Sequence, residues 1–426
     1  MKVMVIGSGA REHALAWKLR ESPHVDELYA APGNAGTAAI ARNLDIPATN
    51  VEALAEAAGQ HGIDLTVVGP EAPLASGIVD LFQSRHLPVL GPTRAAAQIE
   101  ASKVFSKELM QKYGIPCARG AVFSSYPEAR DHVRSQPVPL VIKADGLAAG
   151  KGVVVATSRE QALEALSEFM ERRTLGPAGD RIIIEECLSG REVSLLAFTD
   201  GSSVRPMVPA CDYKRVFDGD RGPNTGGMGS YSPPGFFSQS DTERIQKTIL
   251  EPTVRAMANE GMPYKGVLYV GLMVSAEGAK VLEFNARFGD PETQAIIPRL
   301  KTDLVDISLA VIDGTLNRVA IEWNDDACVA VVLASEGYPG TYQTGFPITG
   351  LDELDQNVHV FHAGTTMKNG VVTNGGRVLT VVASGRTLRE ARDRVYANVP
   401  RIHFQGRQYR QDIAAREIRP EETAGR

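Results

Sequence analysis

Residues 1–100 alternate short apolar runs with glycine-rich turns and helix-forming segments, which calls for a parallel, doubly wound sheet. Val3–Ile6 leads into Gly7-Ser-Gly-Ala-Arg-Glu-His13 and a helix over Ala14–Glu21. Leu28–Ala30 leads into Ala31-Pro-Gly-Asn-Ala-Gly-Thr37, and Leu65–Val68 into Gly69-Pro-Glu-Ala-Pro73 and a helix near Gly77–Ser84. Val89–Leu90 ends at Gly91-Pro92. Ligands of such sheets sit at the carboxyl ends of the strands, so the three loops open on one rim. The first loop precedes a helix N-terminus carrying Arg11 and His13, a natural phosphate cradle. Gly7-x-Gly9 also starts a dinucleotide fingerprint, but Glu12 stands where a third small residue belongs, so the match is partial.

The chain has 426 residues, too many for one core, and two to four domains are expected. A 43% hydrophobic and 23% charged composition is that of an ordinary globular protein. A net charge of −6 gives no reason to expect nucleic acid or an anionic membrane as partner. The opening Met1-Lys-Val-Met-Val-Ile6 is too short for a signal peptide, and no apolar run approaches a membrane span. Cys117, Cys187, Cys211 and Cys328 are scattered without paired spacing, which suits free thiols in a reducing cytoplasm rather than a zinc site. His359 and His362 fall on opposite faces of an alternating stretch, so a metal site there is not expected.

Beyond residue 95 the pattern changes. A helix near Ala95–Tyr113 precedes Leu140–Lys143, a loop Gly146–Gly152, and Val153–Ala156. A glycine-rich loop between two strands can fold over phosphates as a flap, with Lys143 and Lys151 supplying charge. It is not a Walker A motif, because Gly146 and Gly150 are one residue too close and Gly152 replaces the hydroxyl residue. Arg181–Ile184 runs into Glu185 and on to Glu192, acids that suit an adenine amino group or ribose hydroxyls, or only a solvated turn. The stretch Asp212–Gly229 reads as a long functional loop, its Lys214, Arg215, Asp218 and Asp220 favouring an ordered, polyanion-facing segment. No catalytic cluster follows residue 320, where a packing or closing domain is expected.

The run Val281-Leu-Glu-Phe-Asn-Ala-Arg-Phe-Gly-Asp-Pro-Glu-Thr-Gln294 is the most telling for chemistry. Alternate strand residues share a face, so Glu283 and Asn285 point at one place, with Arg287 beyond them. A carboxylate and a carboxamide oxygen suit a hard cation such as Mg²⁺. A cation beside a guanidinium fork suits a polyanion handled together with a carboxylate or phosphate.

With Gly7–His13, Pro32–Thr37, Gly69–Pro73, Ile142–Gly152, Glu185–Glu192, Asp212–Gly229 and Leu282–Gln294, the chain resembles the phosphoribosylamine–glycine ligase (glycinamide ribonucleotide synthetase) family of ATP-grasp enzymes over essentially its whole length. Ala10 departs from the glycine usual there. The resemblance implies a mixed α/β, ATP-grasp architecture. The expected domains are a substrate-binding doubly wound domain over 1–100, an ATP-grasp domain over 101–315 with a flap over about 119–188, and a small C-terminal α/β domain over 316–426. It implies ATP-dependent ligation of glycine to 5-phospho-β-D-ribosylamine through glycyl phosphate, in purine biosynthesis. Glu283 and Asn285 would hold Mg²⁺ or Mn²⁺. Many ATP-grasp enzymes add a carboxylate about a dozen residues upstream, and Leu272 and its neighbours offer none. Lys103 and Lys143 would meet the ATP phosphates under Gly146, Gly150, Lys151 and Gly152, with Glu185, the Leu188 backbone and Glu192 on adenine and ribose. Arg287 would bind the glycine carboxylate, with Asp212 and Lys214 at the reaction centre. The phosphoribosyl part would lie on Gly9, Arg11, Glu12, His13, Asn34, Gly36, Thr37 and Glu71, and Asn224, Thr225, Gly226 and Gly227 would line the reaction centre. Small-molecule substrates and a monomer or weak homodimer are expected.

Three other readings stay open on the sequence. A second ATP-grasp ligase would accept bicarbonate in place of glycine. An NAD-linked oxidoreductase would bind NAD(H) and turn over no ATP. A nucleotide sensor would bind ATP and ligate nothing.

Overall fold

The computed structural model describes residues 1–146 and 152–418. The first hundred residues form a five-stranded parallel sheet in the order Arg42–Asn43, Glu27–Pro32, Lys2–Gly7, Leu65–Val68, Val89–Leu90. Strand order reverses between Lys2–Gly7 and Leu65–Val68, and the crevice there is where such sheets take ligands. Val3, Val5, Leu65 and Val67 face one helical layer, while Met4, Ile6 and Val68 pack into the other core. Burial on both faces explains why these strands read as continuous apolar runs.

The following residues build two antiparallel sheets. Gly120–Phe123, Ile182–Glu186, Leu140–Ala144 and Val153–Ala156 form the flap sheet, with a separate small core under helices Tyr126–Ser135 and Arg159–Leu166. Val204–Pro206, Arg191–Asp200, Lys265–Ser275 and Gly278–Asn285 form the second sheet. The helix expected near Ala95–Tyr113 is two helices, Gln98–Ala101 and Lys103–Tyr113. Ser102 sits extended between them and its hydroxyl caps the second by accepting from the Phe105 amide at 3.0 Å.

A third antiparallel sheet runs Cys211–Asp212, Gly229–Ser232, Ala327–Ser335, Arg377–Gly385, Val358–His362, backed by helix Leu388–Asn398. Its first two strands bracket the Asp212–Gly229 stretch, so that stretch is not a free loop. It also contains the small hairpin Arg215–Phe217 with Arg221–Asn224. The Asp212–Gly229 stretch is thereby tied into the C-terminal sheet. No described helix is long and apolar enough to cross a membrane. The four cysteines are free.

Candidate active site

A cleft of about 180 Å³ opens between the flap sheet, the Lys103–Tyr113 helix and the end of the Gly278–Asn285 strand. Antiparallel register sets Glu283 opposite Gly271 and Asn285 opposite Tyr269, so all four side-chain positions share one sheet face. Gly271 keeps that face open, because a Cβ there would lie 3.2 Å from Glu283 Cγ. The expected pairing of Glu283 and Asn285 on one face is what the strand provides. The upstream strand offers no second carboxylate opposite them.

Lysines converge on the cleft from two elements. Lys103 donates to the Gly146 carbonyl at 2.8 Å, and Lys143 donates to the Leu282 carbonyl at 3.0 Å. Burial holds the Lys103 ammonium below its ordinary pKa, against the opposing pull of Glu283. Gly152 closes the flap hairpin by accepting from the Ala144 amide at 2.8 Å. Gly150 and Lys151, expected on the same flap, lie outside the described residues. Glu185 is 6% exposed and lies between two ammoniums, pairing with Lys143 and, at 3.1 Å, with Lys107. It is therefore the counter-ion of a lysine pair as well as a wall of the cleft. Lys107 was not singled out from the sequence, although it stands four residues after Lys103 on the same helical face. Leu188 sits in the turn after Glu185, where its carbonyl takes a 3.9 Å contact from the Cys187 thiol.

Arg287 turns back toward the first domain. It lies 3.2 Å from Glu100 and 3.3 Å from Glu71, and donates to Asn285 Oδ1 at 3.4 Å. Burial lifts the Glu100 carboxyl above the usual range while Arg287 opposes it. Burial also acts on Glu71, but Arg287 and Arg11 outweigh it and hold that carboxyl low. Glu100 has no motif signal in the sequence. Only the fold carries it to the strand end, where it accepts the Ala286 amide at 2.7 Å.

A second polar cluster covers the same sheet. Lys214 binds Glu192 at 2.6 Å and Asp212 at 3.2 Å. Glu192, expected on ribose, is also a partner of Lys214. Burial pushes the Asp212 carboxyl up to about 7, with Lys214 pulling down and Glu292 and Glu192 pushing up. Beneath it, buried Glu292 accepts from Ser194 at 2.9 Å and Tyr269 at 3.0 Å. Thr225 holds the loop by donating to the Lys214 carbonyl, 2.7 Å from its amide and 2.9 Å from its hydroxyl. Asn224 is exposed at the hairpin end, and Gly226 and Gly227 follow it against the turn at Pro291.

The N-terminal rim is more self-contained than its sequence implied. The helix starts at Ala10, four residues earlier than expected, so Arg11, Glu12 and His13 form its first turn. Glu12 reaches back to the Gly9 amide at 2.6 Å and fills the crevice between the loops. A Cβ at Gly69 would meet its carboxylate at 2.0 Å. An anion in that place, already holding the helix-end amide, opposes a dinucleotide pyrophosphate. Arg11 is buried, not a surface residue. It pairs with Glu12 at 2.5 Å and donates to the Phe288 carbonyl at 3.1 Å. Burial drives His13 down to about 3, and its neutral Nδ1 accepts the His362 amide at 2.8 Å. Asn34 bridges the Ser8 and His362 carbonyls at 2.8 and 2.7 Å while its Oδ1 receives the amides of Gly36 and Thr37. The Ala10 methyl packs with Ala14, Ala295 and Cys328 in a small core.

Models of the phosphoribosylglycinamide synthetase N domain, ATP-grasp (A) domain and C domain match residues 1–100, 101–293 and 328–416. The chain belongs to the phosphoribosylglycinamide synthetase family. It is 50% identical to a phosphoribosylamine–glycine ligase of Caldanaerobacter subterraneus subsp. tengcongensis, over 97% of this chain and 100% of the relative. A crystal structure of phosphoribosylamine–glycine ligase from Thermotoga maritima matches with a TM-score of 0.85 and 36% identity, covering 97% of this chain and 100% of that one. The biotin carboxylase domain of Hydrogenobacter thermophilus 2-oxoglutarate carboxylase, solved with MgADP, matches at TM-score 0.73 and 14% identity over 96% and 91% of the two chains. That likeness is one of fold, and the architecture is ATP-grasp.

Proposed function

We infer that this chain is the ATP-dependent ligase of de novo purine biosynthesis that joins glycine to 5-phospho-β-D-ribosylamine. The observation that carries the reading is the shared cleft: Glu283, Asn285 and Arg287 at one strand end face Lys103 and Lys143 under the flap. A glycine carboxylate is a poor acyl donor. Transfer of the ATP γ-phosphoryl group to it gives glycyl phosphate and ADP. The ribosylamine nitrogen then attacks the acyl carbon. A C–N bond forms, the C–O bond to phosphate breaks, and the nitrogen loses a proton. The products are glycinamide ribonucleotide, phosphate and ADP.

In this reading the protein positions and neutralises charge, as phosphoryl transfer requires. Lys103 and Lys143 meet the phosphates, with Gly146 and Gly152 at the base of the cover. Glu185, Leu188 and Glu192 face the nucleoside. The oxygens of Glu283 and Asn285 on one open face fit a hard cation, Mg²⁺ or Mn²⁺. Such an ion supplies charge neutralisation at the transferred phosphoryl group. Arg287 takes the glycine carboxylate. Asp212, poised near neutrality beside Lys214, is suited to accept the proton released as the amide forms. Gly9–His13, Asn34, Gly36, Thr37 and Glu71 form the phosphoribosyl side, and Asn224–Gly227 close the reaction centre. The division at 100/101 and 315/316, with a flap over about 119–188, is our working domain scheme, and we place the enzyme in the cytoplasm.

Phosphate release should require ATP, glycine and freshly generated phosphoribosylamine together. Release sustained by bicarbonate in place of glycine would overturn the assignment.

A further inference from the structure

Of the side chains by which the C-terminal part meets the Asp212–Gly229 stretch, Arg377 is the one that joins its Gly226–Gly227 end to Asp290. Arg377, on the Arg377–Gly385 strand, grips Asp290 with both arms of its guanidinium. Nη1 meets Oδ1 at 3.2 Å and Nη2 meets Oδ2 at 2.8 Å. Nη1 also donates to the Gly226 carbonyl at 2.5 Å and to the Asp290 carbonyl at 3.3 Å. From the same domain, the Tyr338 hydroxyl accepts the Gly226 amide at 2.9 Å. Gly227 has a φ of +105°, and a Cβ there would lie 2.3 Å from Pro291 Cδ. The Gly226–Gly227 backbone and the Asp290–Pro291 turn therefore lie in contact, and Arg377 joins them.

Asp290 also faces the N-terminal rim. Its Oδ2 is 3.6 Å from where a Gly9 Cβ would stand, and Gln294 donates to its Oδ1 at 2.8 Å. Neither Arg377, Asp290, Gly226 nor Gly227 lines the nucleotide cleft. A disturbance of this junction should fall on the ribosylamine side and spare ATP.

We propose that Arg377 is a positioning residue for the amine substrate, holding Asp290 and the Gly226–Gly227 backbone together against the N-terminal rim. The proposal rests on the ligase reading above. Lysine keeps the charge but cannot serve a carboxylate and a carbonyl in one plane.

The test uses the full chain with Arg377→Lys and Arg377→Ala, and Asp290→Asn as a second route should the arginine variants fold poorly. Calorimetric titration with ADP and with glycinamide ribonucleotide is combined with steady-state kinetics and melting temperature. Arg377→Lys should weaken glycinamide ribonucleotide binding by about tenfold or more, the scale of one lost charged hydrogen bond, with ADP affinity within about twofold. Asp290→Asn should show the same split, and added guanidinium should partly restore Arg377→Ala. Unchanged product affinity in both Arg377→Lys and Asp290→Asn would overturn the proposal. So would parallel losses for ADP and product with a lowered melting temperature, which describe general loosening. Unmodified enzyme that does not need all three substrates would instead overturn the ligase reading itself.

Discussion

Arg287 and Glu100 approach to 3.2 Å across the junction of the first domain and the strand end that carries Glu283 and Asn285. The arginine we propose for glycine is thus already oriented by a buried carboxylate, with Glu71 on its other side. An arginine so held keeps its fork in one plane, which a bidentate carboxylate ligand needs. Arg287→Lys should lower kcat/KM for glycine by an amount equivalent to about 1.5–3 kcal/mol, the worth of a charged hydrogen bond. The KM for ATP should move much less. A lysine variant with normal glycine kinetics and only a lowered melting temperature would make Arg287 structural.

Glu283 stands on an open sheet face and borders the cleft. Glu283→Gln keeps the size and removes the charge. Turnover should fall by about a hundredfold or more, the scale of one lost preorganised electrostatic contact. The melting temperature should stay close to that of the parent. Phosphate release over a Mg²⁺ series measures this, and full activity at low Mg²⁺ would remove Glu283 from the ligand set.

Lys107 is 1% exposed and pairs with buried Glu185. Breaking a buried pair typically costs about 3–5 kcal/mol, and Lys143, the second ammonium on Glu185, offsets part of that loss here. Lys107→Met should therefore lower the urea midpoint and raise the KM for ATP, because Glu185 borders the cleft we propose for ATP. Lys107→Met combined with Glu185→Gln should recover part of the stability. If the double variant is no more stable than the single, the pair is not what holds this wall.

Asp212 titrates near 7 in the folded protein against an ordinary 3.8, chiefly through burial. A raised carboxyl pKa means the folded state binds the proton more tightly than the unfolded chain. Its contribution to stability is therefore complete below 3.8 and is lost as pH rises through about 7. Urea unfolding across this window should show stability falling with pH, and Asp212→Asn should flatten that slope. If Asp212 also accepts the amine proton, kcat/KM should climb with pH, half-maximal at about 7, to a plateau above it. The asparagine variant should lose that limb. An ascending limb unchanged in Asp212→Asn would assign the proton to another group.

Gly36 lies between two imidazoles, and a Cβ there would stand 2.3 Å from His13 Cε1 and 2.7 Å from His362 Cδ2. Gly36→Ala should destabilise the chain by about 1–3 kcal/mol, the usual range for overpacking. Product affinity should fall with it, because the same loop is part of the proposed phosphoribosyl side. Thermal unfolding and titration with glycinamide ribonucleotide check the two effects, and an alanine variant of parental stability would mean the histidines can move apart.

The doubly wound domain was legible because its signals are local: an apolar run, a glycine turn and a helix repeat within each unit. The shared face of Glu283 and Asn285 was legible for the same reason, since a period of two is a property of the backbone, whereas Arg287 lies past the strand end at Asn285 and is placed by its acidic partners. The helix start at Ala10 was missed because Arg11, Glu12 and His13 read as polar loop residues. Tertiary burial of all three lets them begin the helix instead.

What the sequence by itself determined is therefore the doubly wound first domain, the shared face of Glu283 and Asn285 and, through extended motifs, the family. Only the tertiary structure decided which charges are free to meet a ligand and which already have partners. Glu100 reaches Arg287 across 187 residues, Lys107 reaches Glu185 across 78, and Arg377 reaches Asp290 across 87. Those pairings depend on how sheets and helices pack. Packing is set by the summed burial of many side chains, so no single stretch of sequence encodes it.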